Sequence, residues 1–528
     1  MKSANEGRIP VNPDERKEGA QPSLKGADLP AFSSSPRGVY MADVSGLLKE
    51  RIPGRRPLAY VKTFGCQQNV ADGERIKGML AEMGFGFTAD QEEADFILFH
   101  TCAVRAHAQD RVFGNIGALK RLKEKNPKLL IAVCGCMTEQ EEVSEKLKKS
   151  YPFISIVFGT HMLHRFPEIL YRAMGEEKRI FLRGGETSEI YEGLPVRREG
   201  RARAYVTIMY GCNNFCSFCI VPYVRGREKS RAPERIYREV QELVAEGYKE
   251  IMLLGQNVNS YGAPFPKARA AEVSGETEGG TGKSPGKESM DFAGLLRLLD
   301  GIEGDFRIRF MSAHPKDATP AVFDAMAESR HIPHYFHLPL QSGNDRILGE
   351  MNRKYDRAHY LSLVAYARER MPDLCLTTDL IVGFPGERYE EFQDTLAMME
   401  TVGYTSIFSF IYSPRPGTKA AALPDPVSHQ EKTRWYAQLL ALQARLADRF
   451  TQTLVGSTQR VLVEGRNEKT GLLSGRTPGF MVAEFAGPDA LIDTFTEIRI
   501  TRAHQSTLWG ERMEAAQEVL QNAGDGNF

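Results

Sequence analysis

Three cysteines fall within eight residues in the segment Cys212-Asn-Asn-Phe-Cys216-Ser-Phe-Cys219. The chain holds only eight cysteines in 528 residues, so two more at fixed offsets from a given one arise by chance with odds on the order of 10⁻⁴. Three soft thiolates on one loop suit an iron–sulfur cluster. The motif supplies three ligands where a closed cluster takes four, which leaves one iron open, as in catalytic metal sites that keep a position for a ligand. A structural zinc site is the alternative, and it needs a fourth Cys or His nearby. None lies between Cys219 and Arg231.

The surroundings of that loop set the fold class. Residues 1–55 are rich in Pro, Gly, Ser and charge without a sustained apolar period, and read as a disordered leader. From Leu58 the segments LAYVKTFGC, DFILFHTC and LLIAVCGC are apolar runs of strand length separated by helical patterns. Such alternation predicts an open parallel α/β sheet over 56–176, with ligands collecting at the carboxyl ends of its strands. Each run ends at a cysteine, Cys66, Cys102 and Cys136. Cys134 lies within the third run and reads as a small buried hydrophobe. Cys375 reads as core filler.

A linker over 177–203, rich in Gly, Glu and Arg, precedes a second α/β region over 204–440. Its strand candidates AYVTIMY, EIMLLGQ, FRIRFMS, YFHLPLQ, TTDLIVGF and TSIFSFIY make six βα units, which predicts a partial (β/α)6 barrel with its chemistry at the strand C-termini. Polar groups gather there: Gln256 and Asn257, Ser312 with His314, Gln341 and Ser342, and Asp379. His314 also fits a buried hydrogen-bonding role. Residues 267–288 read as a flexible insertion. An amphipathic helix over 431–450 leads into short strand signals, so 441–512 is read as the helix end and a small all-β barrel, with 513–528 a tail.

Lys plus Arg and Asp plus Glu both total 68, so any nucleic-acid footprint must be local. Two basic clusters qualify: Arg197, Arg198, Arg201 and Arg203, and, beside the cysteine loop, Arg225, Arg227, Lys229 and Arg231. The segment 453–505 carries six Lys/Arg and six Asp/Glu, so the small barrel is neutral overall. No stretch approaches the roughly 18 apolar residues of a membrane span, and the N-terminus lacks a signal-peptide core. A cytoplasmic protein without a membrane is expected.

The C-x3-C-x2-C loop with aromatic Phe218 before its last cysteine, at the end of a first barrel strand, resembles the radical S-adenosylmethionine (SAM) superfamily. TFGCQQN, HTCAVR and CGCMTEQ resemble the three-cysteine N-terminal domain of its methylthiotransferase family. YGCNNFCSFCIVPYVRGREKSR, LLGQNVNSY, PLQSGNDRILGEMNR, TDLIVGFPGE and YSPRPGTKAA extend the match. The barrel after Thr451 resembles the TRAM RNA-binding module. The resemblance implies two [4Fe–4S] clusters, one held by Cys66, Cys102 and Cys136 and one, binding SAM, by Cys212, Cys216 and Cys219. Phe218, Gln256, Asn257, Gln341, Ser342 and Asp379 are the cofactor-binding candidates; Arg225, Arg227, Lys229 and Arg231 are the RNA-binding ones.

The implied reaction replaces the C2 hydrogen of an N6-isopentenylated adenosine by a methylthio group. The implied site lies 3′ of the anticodon in tRNAs reading codons that start with U. The implied partners are the tRNA anticodon stem-loop, an electron donor such as a flavodoxin or ferredoxin, and iron–sulfur or sulfur delivery proteins, with the chain a monomer. Gln67 and Arg105 favour the isopentenyl-adenosine branch over siblings acting on threonylcarbamoyladenosine or a ribosomal-protein aspartate. His100 stands where the family usually has asparagine, a departure that bears on local hydrogen bonding. A non-catalytic iron–sulfur RNA-binding sensor is the reading from another class; it needs closed clusters and no SAM.

Overall fold

A computed structural model describes residues 37–103, 106–175, 178–184, 190, 192–262 and 290–513. The first 36 residues of the expected leader, the 267–288 insertion, Arg105 and the tail from residue 514 lie outside the described residues.

Six parallel strands form the N-terminal sheet: β1 (Leu58–Thr63), β2 (Gly86–Phe87), β3 (Phe96–Thr101), β4 (Leu130–Gly135), β5 (Ile156–Phe158) and β6 (Ile180–Leu182), in the order β2-β1-β3-β4-β5-β6. Strand β3 is buried along its whole length, because helices cover both faces of a parallel sheet. The helices are α1 (Arg37–Arg51), α2 (Gln67–Glu82), α3 (Ala106–Lys125), α4 (Glu141–Ser150) and α5 (Phe166–Gly175).

Two sequence expectations change here. Helix α1 lies inside the supposed leader, and its Met41, Val44 and Leu48 are buried in the core that holds Phe166 and Leu170 of α5. Their spacing of three and four residues is one helical stripe, but too short to register as a period among Gly, Ser and charge. Strand β6 lies inside the supposed linker. It pairs with β5 through Ile156–Ile180 and extends the first domain to Leu182.

The second domain carries six parallel strands in two groups of three: β7 (Arg203–Thr207), β10 (Glu250–Leu254) and β11 (Arg307–Phe310), then β12 (Tyr335–His337), β13 (Cys375–Val382) and β14 (Ser406–Ile411). A short antiparallel pair, β8 (Met209–Tyr210) and β9 (Lys229–Ser230), brackets the cysteine loop and helix α6 (Val221–Arg225). Helices α7 (Pro233–Ala245), α8 (Phe292–Asp300), α9 (Pro320–Glu328), α10 (Asp345–Glu350), α11 (Arg357–Arg370) and α12 (Tyr389–Val402) complete the units. One hydrophobic core joins all six strands, from Val206 and Ile251 through Ile308 and Phe336 to Leu376 and Ile407. Helix α13 (His429–Gln452) runs unbroken across the expected boundary at residue 441. Its Trp435 stacks on Phe392, while its Phe450 packs on the last domain.

That last domain is a closed barrel of β15 (Thr458–Arg466), β16 (Leu473–Arg476), β17 (Val482–Phe485), β18 (Phe495–His504) and β19 (Thr507–Arg512). Its β16–β17 turn is seated against the second domain. Arg309 donates to the Thr477 and Pro478 carbonyls at 2.7 and 2.9 Å, and Phe480 packs with Met252 and Leu254. Cys375 opens β13 and faces the same turn, where a Cβ on Gly479 would lie 2.5 Å from its sulfur.

Candidate metal centres

Register brings the N-terminal cysteines together. Strands β1, β3 and β4 are neighbours, with Thr63 opposite His100 and Thr101 opposite Gly135. Cys66, Cys102 and Cys136 therefore follow three adjacent strand ends. Gly65 adopts φ +113°, and a Cβ there would lie 2.4 Å from Cys102 Cβ, so only glycine lets the first loop approach the second cysteine.

Asn69, in the first turn of α2, is the hub of the group. Its Nδ2 donates to the Phe64 and Thr101 carbonyls, both at 2.8 Å, which fixes the backbone ahead of Cys66 and Cys102. Its Oδ1 lies 3.8 Å from Cys66 Sγ and 3.9 Å from Cys136 Sγ. A hydrogen bond from the Cys102 thiol holds Cys66 below its ordinary range. Burial pushes Cys136 up to about 11. His100 donates from Nδ1 to the Asn69 carbonyl at 3.1 Å, and burial lowers it to about 4, so it is neutral at neutral pH. Cys134 points instead into the core with Phe96 and Phe158.

The second trio is held by its own loop and by the α10–α11 segment. Cys212 N donates to the Gly226 carbonyl at 3.1 Å, and Ser217 N to the Met351 carbonyl at 3.0 Å. Phe215 takes φ +46°, and Asn352 Nδ2 secures that bend by donating to the Asn214 and Phe215 carbonyls at 3.3 and 2.8 Å. Arg353 Nη1 donates to Cys216 Sγ at 3.3 Å from a buried position shared with Tyr355. Burial, helped by the nearby Glu228 carboxylate, raises Cys212 to about 11, and burial beside the Cys216 sulfur raises Cys219 to about 12. Cys212 and Cys219 are therefore protonated at neutral pH, and a cation beside them, such as a cluster iron, favours their thiolates. Among the described residues, no group of three or more His, Cys, Asp or Glu closes around a single ion. A cubane binds each thiolate at a different iron, so three soft sulfur donors from one loop or from adjacent strand ends suit it without converging on one ion.

The two trios adjoin. Ile220, which follows Cys219, packs with Cys136 and Ala103, and Val224 of α6 joins the same cluster. Arg225 closes the seam: its Nε donates to Cys136 Sγ at 3.1 Å and its Nη2 to Asn69 Oδ1 at 2.7 Å and Asp72 Oδ2 at 3.1 Å.

These contacts correct the reading of the basic cluster. Arg225 is buried against the thiols, and Arg231 is buried in ion pairs with Glu192 and Glu239, both at 2.8 Å. Neither reaches solvent to meet a phosphate. Arg227 is exposed and stacks on Phe215 at 4.4 Å, and Lys229 is half-buried. In the other cluster, Arg198 pairs with Glu74 and Glu239, and Arg203 with Glu250 and Glu464, so these two seat the domains on one another.

The strand-end candidates divide as well. Phe218 packs with Ile347, Met351 and Phe384 beside the cysteine loop. Gln341 takes φ +72° and pairs with Asp379 through its backbone, while the Asp379 carboxylate lies 3.7 Å from His337 Nε2. Gln256 is half-buried. Ser342 is fully buried, its hydroxyl accepting from Asn344 N at 3.3 Å, and Asn257 donates to Asp317 at 2.7 Å. The Ser342 hydroxyl keeps its own proton to donate, and Asn257 Oδ1 is buried without a partner. His314 is buried, its Nδ1 accepting from Lys316 N at 3.1 Å. Asn69, Asp72 and Arg353 are the residues that sequence reasoning missed. The signal for Asn69 was its place one helical turn after Cys66.

Three family models match the chain. The radical SAM superfamily covers residues 206–399, an uncharacterized protein family, UPF0004, covers 58–159, and the TRAM domain covers 452–512. A tRNA-2-methylthio-N(6)-dimethylallyladenosine synthase of Caldicellulosiruptor saccharolyticus is 44% identical over 458 residues, covering 87% of this chain and 93% of its own. One of the same name from Clostridium perfringens is 44% identical over 465 residues, 87% of this chain and 98% of its own. Among solved structures, the radical SAM methyltransferase TsrM from Kitasatospora setae aligns over 70% of this chain and 75% of its own with a TM-score of 0.48 at 13% identity.

Proposed function

Starting from the premise that the chain belongs to the tRNA-2-methylthio-N6-dimethylallyladenosine synthase family of radical SAM enzymes, we propose that it installs the methylthio group at C2 of N6-isopentenyladenosine, 3′ of the anticodon, in tRNAs reading U-starting codons. The observation that carries the reading is the contact between the two trios, Ile220 and Arg225 against Cys136. A radical-generating centre and a sulfur source must share one cavity, and this contact supports that arrangement.

Cys212, Cys216 and Cys219 are proposed to hold the cluster that binds SAM, and Cys66, Cys102 and Cys136 the second cluster. When bound, these groups supply a 5′-deoxyadenosyl radical and a methylated sulfur, the chemistry that an unactivated C2–H requires. The chain's own part is positioning. Asn69 holds the backbone before two of the N-terminal ligands, and Arg353 orients the Cys216 sulfur. Phe218, Gln256, Gln341 and Asp379 stand near the strand ends where SAM is expected.

Arg227 stacked on Phe215, with the exposed Tyr223 edge-on to the same ring at 5.7 Å, supplies stacking surface for an unpaired anticodon-loop base. Lys229 adds charge beside it. The closed C-terminal barrel matches the TRAM model yet is neutral in sum, so its RNA contact comes from a patch or from stacking. A flavodoxin- or ferredoxin-type donor and a sulfur-delivery protein complete the proposed partners, for a cytoplasmic monomer. None of the described helices is long and apolar enough to cross a membrane. The test is mass analysis of tRNA from cells lacking the chain: isopentenyladenosine without its methylthio group is expected, and persistence of the methylthio group overturns the reading.

A further inference from the structure

Arg225 is contributed by the second domain, yet its guanidinium ends among the groups of the first. It follows the Cys212–Cys219 loop on α6 and is buried with Asp72 and Asn69. Three donor contacts are spent there, on Cys136 Sγ, Asn69 Oδ1 and Asp72 Oδ2. Asp72 is itself held by Arg75 and Gln68, at 3.1 and 3.2 Å, and both of these reach Thr207 Oγ1 at the end of β7, each at 3.1 Å. The network therefore crosses the domain boundary twice, through Arg225 in one direction and through Arg75 and Gln68 in the other.

A lysine would seat the domains by charge alone. The guanidinium does more, because its planar fork aims one N–H at a sulfur while another meets the carboxylate. Hydrogen bonds to cluster sulfurs, and positive charge beside them, favour the more negative reduced state of an iron–sulfur cluster. Asp72, in contact with the same guanidinium, opposes that effect.

We infer that Arg225 is a positioning residue for the N-terminal cluster: it donates to the Cys136 sulfur from the SAM-binding domain, so that the ease of reducing that cluster depends on how the two domains are seated. This rests on the assignment of Cys66, Cys102 and Cys136 as ligands. Cys134 does not enter it.

The test uses the reconstituted full chain carrying Cys212→Ala, Cys216→Ala and Cys219→Ala, so that only the N-terminal cluster titrates. Its reduction is followed by electron paramagnetic resonance against dithionite at poised potentials. Arg225→Met is expected to lower the reduced-to-oxidised ratio at a fixed potential about ten-fold, about 59 mV for a one-electron couple. Arg225→Lys, which keeps charge but loses the fork, falls between Met and the parent. Asp72→Asn shifts in the opposite direction. Should Arg225→Met fail to load iron, the sign of the Asp72→Asn shift decides. An unchanged potential in a loaded Arg225→Met protein, or shifts of the same sign in both variants, overturns the inference. A parent without any N-terminal cluster overturns the ligand assignment instead, and the two failures are therefore distinct.

Discussion

The two cysteine trios reach similar ends by opposite routes. Cys212, Cys216 and Cys219 lie within eight residues, and their loop is pinned by near neighbours and by Asn352 and Arg353. Cys66, Cys102 and Cys136 lie 36 and 34 residues apart (102 − 66 and 136 − 102) and meet only because β1, β3 and β4 pair in register. The first trio needs a loop; the second needs a folded sheet. That difference explains why the second has a dedicated organiser in Asn69 and borrows Arg225 from the neighbouring domain.

The comparison breaks most sharply at glycine. Gly65→Ala forces a side chain into φ +113° and to within 2.4 Å of Cys102 Cβ. The strain costs on the order of 1–3 kcal/mol before the clash is counted. Iron analysis of the variant is expected to show the N-terminal cluster lost while SAM cleavage to 5′-deoxyadenosine persists. Gly211→Ala, whose Cβ would lie 2.0 Å from the Arg227 carbonyl, is expected to do the reverse.

A smaller effect separates the two regions by pH. Burial lifts Glu387 to about 7 while it accepts from Gly383 N and Phe384 N, and Phe384 packs with Phe218. A carboxyl raised above its unfolded value binds its proton more tightly when folded. Its contribution is therefore complete below the unfolded value of about 4.5 and is lost as pH rises through about 7. Glu387→Gln is expected to remove about 1 kcal/mol of the stability lost between roughly pH 6 and 8, read from denaturant midpoints. His100, lowered to about 4 by burial, works in the opposite sense: its contribution is complete above the unfolded value of about 6.5 and is lost as pH falls through about 4, so the Glu387→Gln difference is read against the parent at each pH.

The smallest effect is the most selective. Cys134→Ala leaves a small cavity beside Phe96 and Phe158, costing about 1 kcal/mol, and is expected to leave iron content unchanged. Iron lost with Cys134→Ala but retained with Cys136→Ala reverses the choice between them.

Much of this was legible from residue order. The C-x3-C-x2-C loop, three strands ending in cysteine, six βα units and the terminal barrel all rest on local pattern, and the fold follows them. Burial of charge was not legible. Arg225, Arg227, Lys229 and Arg231 read as one basic patch, but two of the four arginine and lysine side chains turn inward, toward Asp72, Glu192 and Glu239. Asp72 and Glu192 lie on remote segments, and Glu239, eight residues on in α7, meets Arg231 only once the chain turns into that helix. Helix α1 escaped for a related reason: its three buried residues acquire meaning only against α5.

Iron and acid-labile sulfide per chain, measured for the parent, Cys136→Ala and Cys212→Ala after anaerobic reconstitution, ask directly whether each trio holds its own cluster. Each variant is expected to keep about half the parent's iron and sulfide. A parent with one cluster, or a single substitution that removes all the iron, would contradict the two-centre arrangement.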